Sequence, residues 1–197
     1  MARPSHREKL LTEGLGVVHA QGYVGASVRD IVQAAGVPQG SFTNHFTSKE
    51  AFGLEVLDLY FEKTCEGFQS TLLNDSLKPL DRVAAYIDLN IKRLRSFELH
   101  KGCMYGNLAA EASDHSEPIR LRLVEIFGEI QKSIEGCLKA AIKDGDLAPK
   151  TKAGETAGFI LSSLQGAILM AKTTRSTLPI ERFRKILFAS VLNDQLA

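Results

Sequence analysis

Residues Ser27 to Phe46, SVRDIVQAAGVPQGSFTNHF, constrain this chain more than any other stretch. Val28, Ile31, Val32 and Ala35 recur at i, i+3, i+4, i+7, which is one apolar face of a short helix. Ser27 and Asp30 make an S-x-x-D capping box at its start. Gly36 suits its end, because glycine enters the left-handed region without a Cβ clash. Val37 then fills the angle, and Pro38 suits the first turn of a second helix over about Gln39 to Phe46. That helix carries two large apolar residues, Phe42 and Phe46, four apart. The rest of it is small and polar. A short helix anchored on one side, with hydrogen-bonding side chains and little charge on the other, can enter a major groove and read base edges.

The run GVPQGSFTNHFTSKEAF resembles the helix-turn-helix signature of TetR-type transcriptional regulators, which often reads G-V-x-x-G-S-x-Y-x-H-F-x-S-K-E. Gly36, Val37, Gly40, Ser41, Phe46, Ser48, Lys49 and Glu50 match it. Thr43 stands where the pattern often has tyrosine. The resemblance implies an all-α chain of about nine helices. A DNA-binding head, residues 1–47, precedes a helical ligand-binding and dimerisation body, residues 48–197.

Composition agrees with a helical regulator and excludes several classes. The chain has 197 residues, 44% of them hydrophobic, enough for a sizeable core. Net charge is +1, so any contact with nucleic acid must come from local placement. The start, MARPSHREK, lacks the apolar run of a signal peptide, and no stretch approaches a membrane span. Three cysteines in no metal spacing fit a reduced, cytoplasmic protein. No phosphate loop, nucleophile elbow or H-E-x-x-H is present, and no enzyme activity or cofactor is expected.

Taken in order, a first helix is expected from Ser5 to Gln21, with a Ser5–Glu8 box and a Leu11, Leu15, Val18 stripe. Arg3, Arg7 and Lys9 lie near its start, where phosphates can be met. Thr47-Ser48-Lys49-Glu50 reads as a T-x-x-E box opening a helix to about Leu73. Further helices are expected at Pro79–Phe97 and Cys103–Ala112, then, after a turn over Asp114–Pro118, a long helix to about Asp144, and last at Lys152–Thr173 and Ile180–Leu192. The helix from Lys152 is apolar on two sides. Ala153, Ala157, Ile160, Leu164, Ile168 and Ala171 form one stripe, and Phe159, Ser163, Gly166 and Met170 the other. Two apolar sides need two partners. The resemblance implies that the second is another copy of the chain, in a four-helix dimer interface.

For DNA, Gln39, Thr43 and Asn44 are the candidates for base contact. Amide side chains pair with adenine, and a threonine methyl can meet thymine. Ser41, His45 and Lys49 are candidate phosphate ligands. Gly40 allows close backbone approach, and Ser27 completes the DNA-facing set. A symmetric dimer would read a palindromic operator.

For signal sensing, Cys103 opens a helix beside Lys101 and near His100, where a thiol tends towards thiolate. KGCMYGNLAAE, with the later GAILMAKTTRS, resembles a branch of TetR regulators that includes the repressor of the N-ethylmaleimide reductase operon. In that branch a cysteine at this position answers electrophiles or oxidants, and a lysine matching Lys172 lies near it. The competing reading makes Cys103 a small buried residue beside a non-covalent pocket, which Tyr105 and Asn107 would help line. Cys65 and Cys137 read as core. Glu111, Asp114, His115 and Glu117 cluster at a turn, but fit helix capping better than any metal motif. The sequence therefore points to a repressor released from DNA by a small-molecule or electrophile inducer. Its rival is a helical ligand-binding or thiol-reactive protein without DNA function.

Overall fold

The computed structural model describes residues 5–193, and among them the backbone forms α-helices, one π-helical segment and no strand. Arg3, expected near phosphates, lies outside the described residues. The helices are α1 (His6–Gln21), α2 (Val28–Ala35), α3 (Gly40–His45), α4 (Lys49–Gln69) and α5 (Pro79–Ser96), followed by α6 (Met104–Ala112), α7 (Glu117–Asp144), α8 (Ala153–Thr174) and α9 (Leu178–Ile186). Leu187–Val191 continues α9 as the π-helical segment.

The expected caps close α1 and α2. Ser5 and Glu8 exchange both bonds of a capping box, as do Ser27 and Asp30. Gly36 ends α2 in the left-handed region at φ 61°. The opening of α4 differs from expectation. Ser48, not Thr47, caps it, accepting from Ala51 N at 3.0 Å. Glu50 is released from the box and turns to Ser116. At its other end α4 stops at Gln69, short of Leu73. The hydroxyls of Ser70 and Thr71 both donate to the Gly67 carbonyl, competing with the helix's own bonds. The last helix begins at Leu178 rather than Ile180, with Pro179 in its first turn.

The chain forms two compact units. The first comprises the residues up to Thr64 together with Met104–Val124. Its head end is an aromatic cluster, with the ring centroids of Phe42, Phe46 and Phe52 lying 5.0 to 5.3 Å apart. The buried side of α1 is Leu10, Gly14, Leu15 and Val18, while Leu11 is only half-buried. Leu15 and Val18 are buried as expected, Leu10 takes the place of Leu11, and Gly14 admits Phe52. A Cβ there would stand 2.5 Å from the Phe52 ring. Deeper in this unit the Thr64 and Tyr105 hydroxyls meet at 2.7 Å, and Tyr105 packs edge-on to Tyr60 at 4.8 Å.

The second unit comprises Cys65–Cys103 and the residues from Glu125 onward. Its core is mainly aliphatic, with Val83, Ile87 and Leu94 from α5, Ile126, Ile130, Ile134 and Leu138 from α7, and Ile160, Leu164 and Ile168 from α8, beside the buried rings of Phe68 and Tyr86. The expected inner stripe of α8 is buried throughout. Its other side is open: Phe159, Leu169 and Met170 are 49%, 60% and 52% exposed.

Candidate nucleic-acid interface and signal site

The amphipathic split in α3 is complete. Phe42 and Phe46 are buried in the aromatic cluster, while Gln39, Gly40, Thr43, Asn44 and His45 are exposed. Thr43 folds its hydroxyl back onto the Gly40 carbonyl at 3.1 Å, which leaves its methyl for outside contact. Ser41 departs from the expected phosphate set in its placement. It is buried, and its Oγ lies 3.3 Å from His6 Nδ1. Ser27 spends its hydroxyl on the cap, accepting from Asp30 N at 3.1 Å. The Ser27 hydroxyl and N–H in turn donate to the Asp30 carboxylate, at 2.5 and 3.0 Å, and hold it below its usual range.

Lys49 is half-buried and folded against the α1–α2 turn. Its Nζ donates to the Val24 carbonyl at 3.3 Å and lies 4.8 Å from the centroid of the Tyr23 ring. Burial lowers its pKa, and the nearby Glu111 carboxylate opposes that shift. Arg7 pairs with Glu55 and stacks over Phe46, with the guanidinium carbon 5.6 Å from the ring centroid. It is a positive group anchored at the edge of the head.

The cluster read as a capping junction does two separate things. Ser116 caps α7, accepting from Ile119 N at 3.3 Å, and Glu117 pairs with Arg120. Glu111 instead accepts from the backbone N–H of Val24 at 3.2 Å. Among the described residues no group of three His, Cys, Asp or Glu is placed to hold a metal. Sequence reasoning missed the role of Glu111, because its partner is 87 residues away and local pattern carries no trace of it.

The signal residues divide. Cys103 is half-exposed and immediately precedes α6, after Gly102 at φ 70°. It belongs to the second unit with Lys172, which is half-buried in the last turn of α8. Tyr86 is buried in the same unit. Burial, and then the charge of a Cys103 thiolate, push its phenol well above the usual range. Tyr105 and Asn107 fall in the first unit, where Tyr105 is buried and its hydroxyl engaged with Thr64.

The other cysteines differ from each other. Cys137 is core as expected; its Sγ approaches the Leu72 carbonyl at 3.2 Å, and burial pushes the thiol up to about 11. Cys65 is not core. It is half-exposed on a cleft of about 640 Å³ lined also by Phe68, Leu73 and Lys132.

Residues 10–56 match the model of bacterial regulatory proteins of the tetR family, and residues 79–187 match the tetracyclin repressor-like C-terminal domain. The chain belongs to the TetR family. It is a DNA-binding transcriptional regulator, as members of that family are. It is 36% identical to the transcriptional repressor DhaR of Mycobacterium sp. strain GP1, over 98% of this chain and 95% of that protein. A TetR regulatory protein from Rhodobacter sphaeroides superposes with a TM-score of 0.87 at 26% identity, covering 91% of this chain and 95% of the other. The reduced form of Escherichia coli NemR superposes at 0.81 with 25% identity, over 93% and 96%. Among the described residues of this TetR-family chain, no helix is long and apolar enough to cross a membrane.

Proposed function

We propose that this regulator is a dimeric, cytoplasmic repressor that leaves a palindromic operator when an inducer acts on its body. The observation that carries the reading is α3. Phe42 within it and Phe46 at its C-cap lie in the core, while Gln39 at its N-cap, Thr43 and Asn44 are exposed. Residues 1–47 form the base-reading head; residues 48–197 carry signal and dimer and add Lys49 to the DNA-facing set. Gln39, Thr43 and Asn44 read bases. Gly40 lets the backbone come close, and His45 and Lys49 meet phosphates. Ser27 and Ser41 support this surface from behind, through the α2 cap and the contact with His6.

Dimerisation is supported by the open side of α8. Phe159, Leu169 and Met170 are exposed there beside Gly166, whose missing side chain faces open space. A row of this kind is unusual on a monomer and suits a helix-to-helix contact with a second copy.

The inducer reading rests on Cys103, half-exposed where α6 begins, with Lys172 in the same unit. Relatives include the repressor NemR, one structure of which is described as a reduced form. An electrophile adding to the Cys103 sulfur, or a ligand beside it, shifts the protein between a DNA-fitting and a non-fitting state. It can do so only by its difference in affinity for the two.

The test is binding to DNA flanking the protein's own gene, at two salt concentrations, with and without N-ethylmaleimide. The expected outcome is salt-steep specific binding, a shallower slope in Lys49→Ala, and release by the electrophile that is lost in Cys103→Ser. Specific binding that ignores the electrophile in wild type would keep the repressor and remove the thiol switch.

A further inference from the structure

The turn between α1 and α2 is gripped from both sides through one residue. The Val24 N–H donates to Glu111 Oε2 at 3.2 Å, and the Val24 carbonyl accepts from Lys49 Nζ at 3.3 Å. Packing does not hold Val24, whose side chain is 63% exposed. Tyr23, next to it, lies under the Lys49 ammonium. Gly22 completes the arrangement: at φ 82°, a Cβ there would stand 2.4 Å from Glu111 Oε1. The carboxylate thus fills the space that a side chain at position 22 would need. The turn leads directly into Ser27, the cap of α2.

We infer that Glu111 is a positioning residue for operator recognition. From α6 it fixes the α1–α2 turn, and with it the register in which α2 and α3 present the base-reading face. The inference rests on the reading of α3 given above and adds a residue to it that never touches DNA.

Charge alone predicts the opposite effect. Removing a carboxylate near a DNA-binding surface favours DNA, because phosphates are repelled less. Positioning and charge are therefore separable by sign. Glu111→Ala weakens specific operator binding by about tenfold or more, the scale of one lost base contact, while binding to unrelated DNA stays equal or tightens. Glu111→Gln keeps an oxygen that accepts the Val24 N–H, and retains specific affinity within about threefold.

Amide hydrogen exchange at Val24 in the free protein reads the grip without DNA. It accelerates in Glu111→Ala and stays protected in Glu111→Gln. A folded Glu111→Ala protein that binds operator as tightly as wild type would overturn the inference. So would unchanged exchange at Val24. Failure of the wild type to bind any specific DNA would overturn the operator role and the reading beneath it together. The exchange result would still say whether Glu111 holds the turn.

Discussion

Ser116 Oγ donates to Glu50 Oε1 at 2.6 Å, joining two residues 66 positions apart. Both stand at helix starts: Glu50 in the first turn of α4, Ser116 at the cap of α7. One hydroxyl thus serves two ends. Ser116→Ala loses both the cap and the link, and is expected to cost about 1–2 kcal/mol. Glu50→Gln keeps an accepting oxygen and is expected to cost less. Urea unfolding of the two variants checks the order; an equal or reversed cost would mean that the link does not stabilise this unit.

Two glycines on α1 separate space from helix propensity. Gly14→Ala places a methyl 2.5 Å from the Phe52 ring, inside the aromatic cluster. It is expected to destabilise by about 1–3 kcal/mol. Gly16→Ala meets nothing within 4 Å and is expected to stabilise by roughly 0.5–1 kcal/mol. Thermal melts of the pair, expected to move in opposite directions, decide this.

The three thiols are expected to react in two classes. Burial holds the Cys137 thiol at about 11, so roughly one molecule in a thousand carries its thiolate at pH 8. Cys65 and Cys103 are half-exposed. Brief treatment of the folded protein with N-ethylmaleimide, followed by peptide mass spectrometry, should show Cys65 and Cys103 alkylated and Cys137 intact. Equal labelling of Cys137 would show that its cover opens readily.

The open side of α8 predicts the assembly state. Met170→Asp places a charge in the row formed with Phe159 and Leu169. It is expected to convert the proposed dimer to a monomer while retaining helicity, read by sedimentation and circular dichroism. A dimer that survives both Met170→Asp and Leu169→Asp would place the contact elsewhere.

Acid stability carries the mark of the α2 cap. The bonds from Ser27 hold the Asp30 carboxyl below its usual range. A carboxyl depressed in the folded state adds stability that is complete above the ordinary carboxylate range, and is lost as pH falls through the lowered value. Ser27→Ala is expected to flatten that acid limb and to lower stability at neutral pH, because it removes the cap. Unfolding measured from pH 2 to 7 tests it; an unchanged acid limb would sink the linkage.

What the sequence made legible is local. The boxes at Ser5 and Ser27, the left-handed Gly36, the inner stripe of α8 and the polar face of α3 all follow from spacings within one or two helical turns. What it hid is tertiary. Glu50 had a perfect local partner pattern in T-x-x-E, yet Ser116 competes for its carboxylate from far along the chain. Ser41 looks like a free hydroxyl until His6 is folded against it. Leu11 is half-buried while Leu10 is in the core, and Phe52 from α4 packs against Gly14, a contact that local spacing does not show. Cys65 has the spacing of a core residue, but it lines an open cleft with Lys132 of α7.

The first unit is discontinuous in sequence, since it takes Met104–Val124 as well as the opening residues. Anyone who wishes to transplant this DNA-reading end onto a foreign sensor therefore cannot clip it from the front of the gene. A fragment stopping at residue 47 would leave behind Phe52, the third ring of the aromatic cluster, and Glu111, the acceptor for Val24. A working chimera has to carry two separate segments. Natural recombination that exchanged only the first would be expected to leave hybrids with poorly held reading helices.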